Sequence, residues 1–152
     1  MVIDFQKVEK TKPIIYVPRE LPSCRLIDVL YEVKNDIAIF WYHWPYDGLP
    51  DKEDYEPVIL AYRNNVLYGV GIRPHEKLVK SYDWSMEDNR IVIVFTTPWH
   101  GPIIYNEKDH LTKIAMKISS RIENYQISPG TPPNWYIKDG TKISIYDYGF
   151  SI

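Results

Sequence analysis

Two apolar runs on either side of a short polar break constrain this chain more than any other feature. Tyr55 to Tyr62 and Val66 to Ile72 flank Arg63-Asn64-Asn65. Asparagine tolerates the left-handed backbone that tight hairpins need. The runs are rich in β-branched and aromatic residues, which suit a pleated, half-buried surface. A β-hairpin is the expected product. Ile37 to Trp44 reads as another strong strand. Leu26 to Val33 is ambiguous between helix and strand, and as a strand it completes a second hairpin around Lys34-Asn35-Asp36.

Other segments extend the same pattern. Val2 to Val8 alternates apolar and polar residues like an edge strand. Ile14 to Val17, closed by Pro13 and Pro18, fits an edge strand or an extended connector. Lys77 to Trp84 reads as a strand, Met86 to Asn89 as a turn, and Arg90 to Thr96 as a buried strand. Leu111, Ile114, Ala115, Ile118 and Ile122 recur at helical spacing after a capping signal at Asn106 and Asp109. They predict an amphipathic helix over about Glu107 to Asn124, lying on a sheet. Trp135 to Ile137 and Lys142 to Tyr148, joined around Asp139-Gly140, read as a last hairpin. The expectation is a single α+β domain over residues 1–152. It has a mainly antiparallel β-sheet or sandwich and one long amphipathic helix near the C-terminus.

Composition narrows the function classes. The net charge of −2 gives no broad basic footprint, which argues against a nucleic-acid partner. Cys24 is the only cysteine, so no internal disulfide forms. The N-terminal stretch lacks a signal-peptide apolar core, and no apolar run approaches a membrane span. A cytoplasmic, non-membrane protein is expected. Only two glutamines, with much Lys, Glu, Ile and Tyr, suit a thermophile. No nucleophile elbow, phosphate-cradling loop or dinucleotide fingerprint is present.

The stretch from Phe40 to Glu56 carries the chemistry. Aromatic residues crowd onto a strand, a Pro/Gly loop follows, and Asp54 and Glu56 open the next strand. Residues two apart on a strand share a face, so the two carboxylates stand side by side. They repel unless a cation, a proton or solvent intervenes. Carboxylate oxygens suit Mg²⁺, Ca²⁺ or Mn²⁺, and added imidazole extends the set to Zn²⁺ or Fe²⁺. Hairpin pairing brings the strand exit at Pro74 and His75 opposite Asp54 and Glu56. His100, between Trp99 and Gly101-Pro102, sits in a stiff turn where site residues often lie. Asp54, Glu56, His75 and His100 are therefore the candidate divalent-metal ligands. The plain alternative is a solvated strand start with surface histidines. His43 alternates with Trp41 and reads as a satisfied sheet-face histidine, and His110 as an exposed residue of the first helical turn.

Phe40-Trp41-Tyr42, then Glu53-Asp54-Tyr55-Glu56, then His75 and His100 resemble the core of the necrosis-inducing-protein and Vps62-like group. The resemblance runs from Phe40 to His100. It implies a β-sandwich, with a divalent cation held by motif carboxylates and a histidine in some members. Asp54 and Glu56 match the motif acids. Glu53 stands where the motif has histidine, and Tyr55 where it has tryptophan.

Two functions follow. The first is a metal-dependent hydrolase acting on an unspecified small molecule, in which the metal activates water and a spare carboxylate or histidine takes the proton. The alternative is a non-enzymatic ligand- or protein-interaction module using exposed aromatics at Trp44, Tyr46 and Trp99. A homodimer through an edge strand is compatible with either.

Overall fold

The computed structural model describes residues 4–19, 25–45, 53–74, 78–96 and 101–137. His75, His100, Tyr46, Trp99 and the expected strand Lys142 to Tyr148 lie outside them.

Both expected hairpins form. Strands β2 (Asp28–Lys34) and β3 (Ile37–Trp44) pair antiparallel around Asn35 and Asp36. Strands β4 (Asp54–Arg63) and β5 (Val66–Ile72) pair around Asn64 and Asn65. Asn35, Asn64 and Asn65 all take positive φ, with values of 56°, 51° and 63°. The short amide side chain tolerates this region where most residues do not. Strand β6 (Val79–Ser81) adds to β5, and β11 (Ser128–Pro129) adds parallel to β2. The larger sheet thus has the order β11-β2-β3-β4-β5-β6.

The smaller sheet is built from β1 (Ile14–Pro18), β7 (Met86–Glu87), β8 (Arg90–Phe95), β9 (Pro102–Ile104) and β10 (Ser119–Ile122). β1 pairs parallel with β8 and antiparallel with β10. β7 and β9 pair with successive parts of β8, and Asp88 and Asn89 turn the chain between β7 and β8 at φ 50° and 60°. Ile14 to Val17 is therefore an interior strand rather than an edge. Pro13 lies just outside it and Pro18 ends it, so neither interrupts the ladder.

The sheets pack face to face. Ala38, Phe40, Tyr42 and Trp44 of β3 meet Ile15, Val17, Ile91, Ile93 and Phe95 of the smaller sheet in one core. Phe95 lies 5.3 Å from the Tyr42 ring and 4.9 Å from the Trp44 ring, in the tilted and edge-on arrangements that aromatic pairs favour. Both outer faces are covered as well. Tyr136 packs over Ile39, Trp41 and Tyr55 of the larger sheet, and Ala115 and Met116 pack over Ile14, Tyr16, Val92 and Val94 of the smaller one. Double-sided burial explains why β3 and β8 read as nearly unbroken apolar runs.

Three expectations are corrected. The edge strand expected over Val2 to Val8 does not form in its described part, Asp4 to Val8, because Asp4 accepts a hydrogen bond from the Lys7 amide at 2.8 Å and caps helix α1 (Phe5–Thr11). Trp135 to Ile137 belongs to the short helix α3 (Asn134–Ile137). The long helix over Glu107 to Asn124 is replaced by α2 (His110–Lys117) followed by β10. Asp109 caps α2, accepting from the Leu111 amide at 3.0 Å. Ser119 and Ser120 then offer little helical preference, and pairing with β1 takes the chain instead. The helix also presents a different face from the periodic one. Leu111, Ile114 and Ile118 are exposed, while Thr112 is fully buried. His110, as expected, is exposed.

Candidate functional site

The register of the first hairpin places Asp28 opposite His43, and that of β3 with β4 places His43 opposite Tyr55. The three form a row on the outer face of the larger sheet, beside Trp41. His43 is buried, and its ring stacks on Tyr55 with centroids 4.2 Å apart and planes 5° from parallel. Its Nδ1 lies 3.1 Å from Asp28 Oδ1, and its Nε2 lies 3.0 Å from Glu53 Oε2. Neutral imidazole can donate from one nitrogen only, whereas the protonated ring donates from both. Both carboxylates are about half exposed. Each therefore keeps lone pairs directed to solvent while the histidine fixes its position.

Aromatic residues from α3 border the row. Tyr136 is buried and donates its hydroxyl to the Tyr55 carbonyl at 2.8 Å. Its ring stands edge-on to Trp41 at 5.8 Å. Trp135 lies 6.1 Å from the Tyr55 ring and stays 50% exposed. Burial, reinforced by the charges of Asp28 and Glu53, pushes the Tyr55 hydroxyl up to about 12. Burial also raises Tyr136 well above the ordinary tyrosine range, with Glu56 and Asp54 adding to the effect and Arg73 opposing it. These phenols remain neutral hydroxyls under ordinary conditions.

Asp54 and Glu56 do share a face, as their spacing predicts. It is the inner face, because they pair with Trp44 and Tyr42. Asp54 is buried, and so is Arg73, the residue after β5. His43 lies on the opposite face of the sheet, with each ring nitrogen already facing a carboxylate. Among the described residues no group of three or more His, Cys, Asp or Glu side chains could hold a metal ion. The metal-dependent hydrolase expected from Asp54, Glu56, His75 and His100 is therefore not upheld.

Trp44 is corrected as well. It is fully buried against Phe95, so it offers no exposed stacking surface. Among the described residues, Trp135 is an exposed aromatic next to Tyr55 of the row. Sequence reasoning assigned no role to Asp28, Glu53, Tyr136 or Arg73. One signal was available for the first of these. A two-residue turn at Asn35-Asp36 fixes the register, and counting back along both strands puts Asp28 opposite His43.

The chain matches no family model and no curated protein. Its fold is similar to solved structures. One is "NLPPya in complex with mannosamine", with a TM-score of 0.53 and 14% identity, covering 82% of this chain and 72% of that one. Another is "NLPPya in complex with glucosamine", with a TM-score of 0.52 and 13% identity, covering 82% and 71%. A third, described as "Toxin fold for microbial attack and plant defense", has a TM-score of 0.50 and 16% identity, covering 82% and 72%. Among the described residues no helix is long and apolar enough to cross a membrane, which leaves strand-built spans unaddressed. The expected β-sandwich and its resemblance to the necrosis-inducing group thus rest on shared fold over most of the chain.

Proposed function

We propose that this chain is a non-enzymatic ligand-binding module that takes a cationic sugar at the Asp28–His43–Glu53 row. The observation that carries the proposal is the pairing of two half-exposed carboxylates with an exposed indole. A sugar presents hydroxyl donors to carboxylate oxygens and an apolar ring face to an aromatic plane. Asp28 and Glu53 bring two carboxylates to one side chain, His43, and this excess of acid favours an ammonium-bearing ligand. His43 would position the acids, and Trp135 would stack. NLPPya, with which the chain shares its fold, is recorded with mannosamine and with glucosamine. Those complexes support the choice of amino sugar as the first ligand to test.

Calorimetric titration with glucosamine and with N-acetylglucosamine tests this. The acetylated sugar keeps the ring but loses the positive charge. The proposal expects saturable binding of glucosamine and weaker binding of the amide. Trp135→Ala and Glu53→Gln should each weaken glucosamine by roughly fivefold to tenfold, the scale of one stacking contact or one charge-assisted hydrogen bond at a wet site. No saturable binding, or equal affinity in both variants and the wild type, would sink it.

A further inference from the structure

The opposite end of the sandwich holds a cavity of about 330 Å³ between the two sheets, beside α1. It lies roughly 26 Å from the amino-sugar site, the run of β4 from Asp54 to Tyr62 at ~3.3 Å per residue. Its volume falls within the range of small-molecule sites. Leu67, Trp84 and Ile91, which belong to or pack against the sandwich core, form an apolar floor. Lys7, Asn65, Asn89 and Arg90 bring polar groups to the same lining, and no acidic side chain lines it among the described residues. Asn65 and Asn89 each occupy a left-handed position in a tight turn, one turn from each sheet.

The cations are held but not neutralised. Arg90 donates from Nε to the Lys12 carbonyl at 2.8 Å, and from Nη2 to the carbonyls of Glu123 at 2.8 Å and Pro13 at 3.5 Å. Those bonds fix the guanidinium plane, while Nη1 makes no hydrogen bond to the described residues. Lys7 places its Nζ 5.9 Å from the Tyr62 ring centroid and forms no ion pair among them. Asp88, the acid next to Asn89 in sequence, is instead bound to Arg121 at 2.8 Å. The Thr11 hydroxyl donates to the Lys7 carbonyl at 2.6 Å, so the Tyr62 hydroxyl donates to Thr11 at 2.7 Å and no spare phenol proton competes. A fixed guanidinium and a neighbouring ammonium over an apolar floor, with amide donors nearby, match a ligand that has an anionic head and an apolar body.

The geometry points to a second small-molecule site here, for an amphipathic carboxylate whose head meets Lys7 and Arg90 and whose body lies on Trp84 and Leu67. It is independent of sugar binding.

Three probes of one shape test the proposal: 3-phenylpropanoate, 3-phenylpropanamide and 3-phenylpropylammonium, titrated into 15N-labelled protein. The carboxylate should bind saturably, shifting the Asn65 and Asn89 amides and the Trp84 indole N–H. The amide should bind at least about fivefold more weakly, the scale of one lost charge-assisted hydrogen bond, and the ammonium should not bind. Lys7→Gln removes no ion pair and should fold normally. It should weaken the carboxylate by about fivefold and leave the amide unchanged. Equal affinity for the three probes overturns the assignment. So do shifts confined to other residues, or an unchanged carboxylate affinity in Lys7→Gln.

Discussion

Replacing Tyr136 by Phe removes one oxygen from the seal between α3 and the larger sheet. The ring stays, so its edge-on contacts with Trp41 at 5.8 Å and Tyr55 at 5.3 Å are retained. The hydroxyl donates to the Tyr55 carbonyl at 2.8 Å in a buried setting. One such bond contributes about 1 kcal/mol net. Without the hydroxyl a buried carbonyl loses that donor, which costs about 1–2 kcal/mol more. The expected loss is therefore about 2–3 kcal/mol, out of a total stability of roughly 5–15 kcal/mol for a domain. In urea melts the midpoint should fall while the slope stays constant, since the surface exposed on unfolding is unchanged. The thermal midpoint should drop by about 5–10 °C at this chain length. A loss below about 0.5 kcal/mol would refute the picture of Tyr136 as the polar anchor of α3.

Further outcomes follow from the same contacts. Burial holds the hydroxyls of Tyr42, Tyr62, Tyr125 and Tyr136 above the ordinary range, and that of Tyr55 at about 12. The unfolded chain ionises these groups near pH 10, so their contribution is whole below pH 10 and is lost as pH rises toward 12. Each removes at most about 1.4 kcal/mol per pH unit between its unfolded and folded values, and less for Tyr55, whose hydroxyl is partly open to solvent. Tyrosinate absorbance should then appear together with unfolding, and a smooth titration near pH 10 with the fold intact would contradict the burial. Asn64→Ala places a Cβ-bearing residue without a polar side chain at φ 51° and should cost about 1 kcal/mol by urea melt. Ile114→Lys acts on a side chain 58% exposed and should change stability by less than about 0.5 kcal/mol, as an exposed helix face requires.

The parts of the fold that were legible in sequence are those fixed by local chemistry. Asn64-Asn65 and Asn35-Asp36 announced their turns because few residues accept positive φ, and each turn then set its two flanking runs side by side. The parts that were not legible depend on distant chain. The periodic Leu111-Ile114-Ile118 stripe promised a core-facing helix, yet Thr112, Ala115 and Met116 face the sheet instead. β10 forms from the expected C-terminal half of that helix because β1 offers it a ladder, with Ile15 opposite Ile122. No local pattern reports such an offer. At the site, the Asp54/Glu56 spacing correctly gave a shared face, but not that the face was the inner one. The direction was set by Trp44 and Tyr42, whose bulk took the interior and carried the paired acids with it. His43 was readable as a satisfied sheet-face histidine. Its partner Glu53 was not, because that contact comes from outside the strands.

A chemical-shift map of glucosamine on the 15N-labelled wild-type protein tests the central claim most directly. The account predicts saturable shifts centred on Asp28, His43, Tyr55 and the Trp135 indole, with the Asn65 and Asn89 turns unmoved. Shifts centred on those turns, or none at any sugar concentration, would contradict it.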